Sequence, residues 1–158
     1  MTVHRTFAPP ATAVRPFGWL TRVLVASAWV LALAAPVQAA PLSPADELSV
    51  RATVQGQLAA FAADDAPRAF SYAAPNVREA MGTASGFLAM VREAYPVVYR
   101  PASVAFLKPE DKDGQVFQRV QMVDAAGEAW LAVYTLQRNG KGWLITGCVV
   151  VANKGRMA

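Results

Sequence analysis

Two groups of carboxylates are the residues in this chain that are best suited to acid–base or metal chemistry. Asp64 and Asp65 are adjacent between two predicted helices, whereas a catalytic pair needs two carboxyl groups that converge on one substrate with separated pKa values. Neighbouring residues at the start of a helix rarely converge, so we interpret Asp65 as a helix cap and Asp64 as a solvated side chain.

The second group, Glu110, Asp111 and Asp113, has part of the spacing of a calcium-binding loop. The remaining ligands and the closing glutamate are missing from the sequence, which favours a polar hairpin turn. The chain also has one histidine, His4, and one cysteine, Cys148, which are too few for a transition-metal site. We therefore predict no metal and no cofactor.

Cys148 is the residue that would serve most readily as a nucleophile. It lies in an apolar segment, residues 146–150, that is typical of a buried strand. A nucleophilic thiol needs an activating group such as histidine, and His4 falls in a segment that we expect to be removed. We interpret Cys148 as a small core or interface residue.

The first 39 residues have the order of a secretory signal peptide. Arginines precede an uncharged apolar run over residues 23–35, and Val37 and Ala39 occupy the small-residue positions before a cleavage site between Ala39 and Ala40. The run of 13 residues is shorter than the roughly 20 that a spanning helix needs. We predict Sec-type export to the periplasm or beyond. The alternative is an uncleaved leader, which would be the only contact of the protein with a membrane.

Cleavage would leave residues 40–158 as one domain of 119 residues, long enough for a single hydrophobic core. This domain carries 12 basic and 11 acidic residues, a net charge of +1. A nearly neutral exported domain has no long-range attraction for DNA or RNA, so we exclude nucleic acid as a partner.

Three helices are predicted in the first half of this domain, each from a capping residue followed by an apolar stripe. Their predicted bounds are 43–63, 65–74 and 83–95, with Thr83 or Ser85 as the cap of the third helix and a further helical turn over 76–81. From Val97 onward the apolar residues alternate, which predicts four strands over 99–107, 115–123, 128–138 and 142–151. The predicted fold is therefore α+β, with three N-terminal helices packed on a curved four-stranded antiparallel sheet, a cone.

The turns between the strands predict a register. A two-residue loop at Asn139–Gly140 predicts the pairs of the last hairpin, which are Leu136 with Trp143, Tyr134 with Ile145 and Trp130 with Val149. A three-residue loop at 125–127 predicts that Met122 pairs with Trp130 in the hairpin before it. The face that carries Tyr134 is apolar enough to receive the helices. The other face is half polar yet too apolar for solvent, so we predict a homodimer through it. The candidate interface residues are Phe117, Leu131, Val133, Leu144 and Cys148.

Three segments resemble known families. Residues 57–75, QLAAFAADDAPRAFSYAAP, resemble the junction of the first two helices in nuclear-transport-factor-2-like (SnoaL-like or cystatin-like) domains. Residues 87–101, FLAMVREAYPVVYRP, and 142–148, GWLITGC, resemble a proteobacterial domain-of-unknown-function family, number 4864. The resemblance implies this fold, export and dimerisation, but no activity, because the superfold hosts enzymes, binders and interaction modules alike. Ketosteroid-isomerase-like relatives carry a base and an acidic donor on the sheet, whereas the inner face here offers Gln118 and Tyr134.

Eight side chains are candidates for a pocket in the mouth of the cone, which would suit a small apolar or amphipathic ligand. They are Tyr72, Tyr95, Tyr99, Arg100, Gln118, Trp130, Tyr134 and Trp143. The alternative is that these aromatic rings fill the core and that their polar atoms bond to the backbone.

The function that we predict is that of an exported, non-catalytic domain that binds a small ligand or another protein. Two alternatives remain open. One is a small enzyme of the isomerase, cyclase or dehydratase type that uses Tyr134, Gln118 and Arg100. The other is a structural partner of an envelope complex. An open polar cavity beneath the helices would favour the enzyme. A cavity filled by side chains would favour the structural partner.

Overall fold

A computed structural model describes residues 41–155 of the protein. The predicted leader and the cleavage site between Ala39 and Ala40 lie outside the described residues. Helices come first and strands second along the chain, so the fold is α+β, as predicted. The helices are α1 (Pro44–Ala62), α2 (Ala66–Ser71), α3 (Pro75–Met81), α4 (Ala84–Ala94) and α5 (Pro96–Tyr99). None of these five helices is both long and apolar enough to cross a membrane.

The predicted starts of three helices are confirmed, because each depends on a side chain that caps the first turn. The Ser43 side chain accepts a hydrogen bond from the Asp46 amide at 3.1 Å, and the Asp65 carboxylate accepts one from the Arg68 amide at 3.1 Å. The Thr83 hydroxyl oxygen accepts a hydrogen bond from the Gly86 amide at 3.0 Å. Each bond satisfies one of the amides that a helix leaves without an internal partner.

The predicted number of helices is too low. The expected turn over 76–81 is a complete helix, α3, that begins with Pro75. The residues just before the predicted first strand, together with its first residue Tyr99, form a short helix, α5, with Pro96 in its first turn. Proline supplies a φ angle near that of a helix and lacks the amide that would go unsatisfied there, so it can start a new helix where it ends another.

The sheet has five antiparallel strands instead of the predicted four. They are β1 (Ser103–Phe106), β2 (Glu110–Lys112), β3 (Gln115–Val123), β4 (Ala129–Asn139) and β5 (Gly142–Ala152). The order is β1-β3-β4-β5, and β2 pairs with the other end of β3 beside β1. The additional strand, β2, forms because a two-residue turn with positive φ at Asp113 and Gly114 folds residues 110–112 back onto β3.

The predicted register is right for one hairpin and wrong for the next. Met122 pairs with Trp130 across β3 and β4, as expected. The β4–β5 prediction fails because Asn139 belongs to the strand and pairs with Gly142, so the loop is one residue further along. A bulge between Thr135 and Leu136 adds a further shift. The observed pairs are Leu136 with Ile145, Tyr134 with Cys148, and Trp130 with Ala152.

The bulge reverses the two faces of β5 beyond residue 146. Thr135 pairs with Gly147 and Leu136 with Ile145, so Thr146 is the additional residue. Cys148 therefore lies on the inner face opposite Tyr134, whereas Val149 points outward with 62% of its surface exposed. The placement of Cys148 at the outer interface is wrong for this reason.

The core lies between the helices and the inner face of the sheet. Val50, Val54 and Phe61 of α1 are buried there against β3 and β4 residues such as Val120 and Leu136. The segment between α2 and α3 is tied to β5, because the Ala74 amide donates to the Ile145 carbonyl at 2.8 Å and the Ile145 amide donates to the Tyr72 carbonyl at 2.9 Å. These bonds hold α3 over the inner face.

Candidate ligand-binding site

A cavity of about 220 Å³ lies between the helices and the inner face of the sheet. We call it the inner cavity. Its walls come from α1, α3, α4, α5, β4 and β5 and are mostly apolar. The lining residues are Gln57, Phe61, Ala73, Val77, Met81, Phe87, Met90, Val91, Tyr95, Val98, Tyr134, Ile145, Gly147 and Cys148.

Four polar side chains, those of Gln57, Tyr95, Tyr134 and Cys148, give the inner cavity its chemistry. Tyr134 and Cys148 are neighbours on paired strands, and Gln57 faces them from α1. The Gln57 side chain is buried, and its amide nitrogen donates to the Ala69 carbonyl at 3.2 Å, which ties α1 to α2. The sequence contains a signal for Gln57, because it is a polar residue on the apolar stripe, three positions after Val54 and four before Phe61.

The hydroxyl of Tyr134 is buried, and no hydrogen bond of ordinary geometry reaches it from residues 41–155, although the Cys148 thiol lies close enough to interact weakly with it. Burial raises the pKa of Tyr134 well above its usual value, and the nearby Cys148 raises it further. Burial also raises the pKa of the Cys148 thiol to about 12, although the Tyr134 hydroxyl acts in the opposite direction. Both groups are therefore neutral at pH 7, and Cys148 lacks the thiolate that a nucleophile needs.

The inner cavity can hydrogen-bond an uncharged polar group, but it is poorly equipped for proton abstraction. Its lining, taken from residues 41–155, contains no carboxylate, histidine or lysine. In the same described part of the chain, no group of three or more histidine, cysteine, aspartate or glutamate side chains could hold a metal ion. The chemistry that remains is recognition of shape and of a single hydrogen-bonding group.

The eight predicted pocket residues do not share one space. Tyr95 and Tyr134 line the inner cavity. Tyr95 also lines a second space of about 380 Å³, together with Arg100, Asp124, Trp130 and Val150. We call this second space the outer cleft. It lies where α4, α5 and the turn between β3 and β4 meet.

Four of the predicted residues lie outside both spaces. Tyr72 packs against α1 at Gly56, where its hydroxyl leaves no room for a side chain. Gln118 is buried beneath the segment that joins β1 and β2, and it donates to the Leu107 carbonyl at 2.7 Å. The Trp143 ring stacks with Arg138, whose guanidinium carbon is 4.4 Å from the ring centroid.

Tyr99, the fourth of these residues, belongs to an ion-pair cluster centred on Asp64. The Asp64 carboxylate accepts hydrogen bonds from Arg92 and Arg100, both at 2.9 Å, and from the Tyr99 hydroxyl. These partners hold the pKa of Asp64 below its usual value, the Tyr99 hydrogen bond first among them. Asp64 is therefore more than the solvated side chain that we expected, although a cluster this exposed contributes little stability.

Phenylalanine in place of Tyr134 is expected to stabilise the free protein by about 1 kcal/mol. A buried hydroxyl without a partner costs about 1–3 kcal/mol, and the substitution removes that cost while keeping the ring. Urea unfolding measures the change. Tyr95→Phe is the matched control, because Tyr95 lines the same cavity but is only half-buried, and its stability should change by less than about 0.5 kcal/mol. A loss of stability in Tyr134→Phe would mean that the hydroxyl is satisfied in solution.

The fold and the site together define a class, an α+β domain with a small, mostly apolar cavity between a helical layer and an antiparallel sheet. Residues 43–158 match the family described as domain of unknown function (DUF4864), and the chain belongs to that family. No curated protein and no solved structure matched the chain.

Proposed function

We propose that the protein binds a small, mostly apolar molecule in the inner cavity and that it does so without catalysis. The observation that carries this proposal is the mostly apolar cavity of about 220 Å³, whose wall includes the half-buried side chain of Tyr95. A bound ligand replaces empty space with contacts to apolar side chains.

The size of the cavity limits the ligand. Sites for drug-sized molecules are about 300–1,000 Å³, so the part of the ligand inside this cavity is smaller than a typical drug.

The isomerase, cyclase or dehydratase alternative has less support. Its proposed residues, Tyr134, Gln118 and Arg100, contribute to three different regions of the fold. A general acid and base must reach the same substrate atoms, and side chains this dispersed are poorly arranged for that. We therefore propose a binding protein and not an enzyme.

Tryptophan at Met90 is expected to abolish binding in the inner cavity while the protein stays folded. Met90 lines the cavity from α4 and is half-buried, so a larger side chain can fill the space. Cyclohexanone is a suitable probe, because it has seven non-hydrogen atoms and a carbonyl acceptor. We expect it to shift the amide resonances of cavity residues in the wild type, and its affinity to fall at least tenfold in Met90→Trp.

Ala89→Trp is the control for this experiment. Ala89 is the preceding residue on α4 and is exposed, so the same bulk there faces away from the cavity. Cyclohexanone should bind this variant as it binds the wild type. If the wild type shows no shifts at millimolar cyclohexanone, or if the two variants behave alike, the proposed binding site is wrong.

We also propose that the domain works after export, at residues 40–158 of the chain. The support is the order of charged, apolar and small residues before Ala40, and the match of the family to residues 43–158, just after the proposed cleavage site. The helices on an antiparallel sheet support membership of the nuclear-transport-factor-2-like superfold, and the resemblance supports a proteobacterial source. N-terminal sequencing of periplasmic protein tests the export proposal, and a chain that still begins at Met1 would contradict it.

A second candidate function, contact with another protein chain, is favoured by the outer face of the sheet. Leu131, Val133 and Leu144 lie on this face, beside the strongly exposed Val149 and Val151. Among residues 41–155 the helices pack on the opposite face. We propose that a second copy of the chain covers this apolar surface. A partner in an envelope complex is the alternative occupant.

A further inference from the structure

The outer cleft has the size and the walls of a small-molecule site of its own. Its volume of about 380 Å³ lies within the range of about 300–1,000 Å³ that is usual for such sites. Tyr95 and Trp130 contribute aromatic rings, and the rest of the wall is formed by alanine, valine and proline side chains together with the charged Arg100 and Asp124. These walls suit a molecule that is mostly apolar and carries one polar end.

The Trp130 ring is held in place before any ligand arrives. Its indole nitrogen donates to the Asp124 carboxylate at 2.8 Å. The same carboxylate accepts hydrogen bonds from the amides of Ala126 and Glu128, at 2.9 and 3.0 Å, so the ring is tied to the turn between β3 and β4. The Trp130 side chain is only half-buried. A fixed ring that keeps some free surface loses little conformational freedom when a flat ring stacks on it.

The charged groups of the cleft favour an anion at its polar end. The Asp124 carboxylate is already satisfied by the three N–H donors of the turn and the indole. Arg100 donates to one side chain within residues 41–155, to Asp64 at 2.9 Å, and is 57% exposed. Arg92 bonds to the same Asp64 carboxylate, so two positive charges share one negative charge, a net charge of +1. A guanidinium has five N–H donors, so Arg100 keeps several for a ligand.

We propose that the outer cleft binds a planar aromatic carboxylate, with its ring against Trp130 and its carboxylate on Arg100. This site is separate from the inner cavity and does not depend on the ligand proposed there. A carboxylate fits the two-pronged edge of a guanidinium, and the exposure of Arg100 leaves the carboxylate partly hydrated. The ring meanwhile leaves water for the apolar wall.

Three indoles test the charge of the ligand. Indole-3-acetate carries a carboxylate, tryptophol has an alcohol in its place, and tryptamine has an ammonium group. In titrations followed by amide resonances at low ionic strength, the wild type should bind indole-3-acetate at least tenfold more tightly than either of the others. Phenylacetate should likewise bind more tightly than cyclohexylacetate, whose ring is not flat.

Arg92 provides a matched control for Arg100. Both guanidinium groups bond to Asp64 at 2.9 Å, both lie near the face of the Tyr99 ring, and their side chains are 55% and 57% exposed. Only Arg100 of this pair lines the outer cleft. Arg100→Gln should therefore abolish the preference for indole-3-acetate over tryptophol, whereas Arg92→Gln should change it by less than threefold. Arg100→Lys, which keeps the charge, should retain most of it.

Three tryptophan substitutions on α4 locate the site. Ala94 is exposed and lines the outer cleft, so Ala94→Trp should lower the affinity for indole-3-acetate at least tenfold. Ala89 is also exposed on α4 but lines neither space, and Ala89→Trp should leave the affinity unchanged. Met90 lines only the inner cavity of these two spaces, so Met90→Trp should also leave it unchanged.

The outcomes keep this inference distinct from the proposed function of the inner cavity. The inference is overturned if indole-3-acetate does not bind, if tryptophol or tryptamine binds as tightly, if cyclohexylacetate matches phenylacetate, or if the arginine variants behave alike. It is also overturned if Met90→Trp abolishes binding of indole-3-acetate, because the ligand would then lie in the inner cavity. Cyclohexanone binding tests the inner cavity by itself, and its failure would leave the outer cleft as a site.

Discussion

Aspartate in place of Leu131 is expected to convert the proposed homodimer into a folded monomer. Leu131 lies on the outer face, where it pairs with Gln121 on β3 and Val151 on β5. In a two-fold contact each substituted position meets the other copy of the same surface, so the interface would bury two new charges. We expect the dimer dissociation constant to rise at least 100-fold, about 2.8 kcal/mol.

Sedimentation and light scattering measure the change, and circular dichroism checks the fold. Gln137→Asp is the matched control, because Gln137 lies on the same strand and the same face but is exposed near the end of the sheet. That variant should remain dimeric. A wild type that is monomeric at micromolar concentration, with no other chain bound, would remove the dimer proposal and leave the apolar face for a different partner.

The parts of the fold that could be predicted are those that depend on residues close in sequence. Ser43, Asp65 and Thr83 each cap a helix through an amide three positions away. The β3–β4 hairpin keeps a regular ladder across its whole length, so counting from the turn gives the correct pairs. Both features follow from local geometry, which the sequence records directly.

The β4–β5 register could not be predicted, because the apolar pattern fits two answers. Beyond Gly147 the strand continues with Cys148 and three valines, so either alternate set makes an apolar face. The phase is decided by the bulge at Thr146, which hydrogen-bonds the Thr135 hydroxyl at 2.9 Å. A bulge depends on both strands at once, and a one-residue shift exchanges the faces.

The candidate site was predicted only in part for the same reason. Tyr95 and Tyr134 were expected to line a pocket and do line the inner cavity. The alternation of apolar residues places Cys148 on the other face, because this pattern carries no sign of the bulge. The role of Asp64 depends on partners 28 to 36 residues away, on α4, on α5 and directly after α5, which no local pattern indicates.

Alanine in place of Phe61 is expected to cost about 3–5 kcal/mol of unfolding free energy. Phe61 is almost completely buried on α1, and its ring centroid is 5.6 Å from that of Phe87 on α4. The Phe87 ring centroid is also 5.6 Å from that of Phe70 on α2. The three rings therefore join α1, α2 and α4. Removing the ring loses apolar burial and opens a void that adjoins the inner cavity. The loss is a large share of the about 5–15 kcal/mol that stabilises a typical domain.

Urea unfolding of Phe61→Ala and Leu48→Ala tests this expectation on one helix. Leu48 is also on α1 but is 69% exposed, so its truncation should change stability by less than about 0.5 kcal/mol. The Phe61 variant should also gain stability from toluene, because an apolar cavity left by a core truncation stays open to an apolar guest. If Phe61→Ala loses less than about 1.5 kcal/mol and gains nothing from toluene, the helices collapse into the space. The inner cavity would then be too deformable to select a ligand by shape.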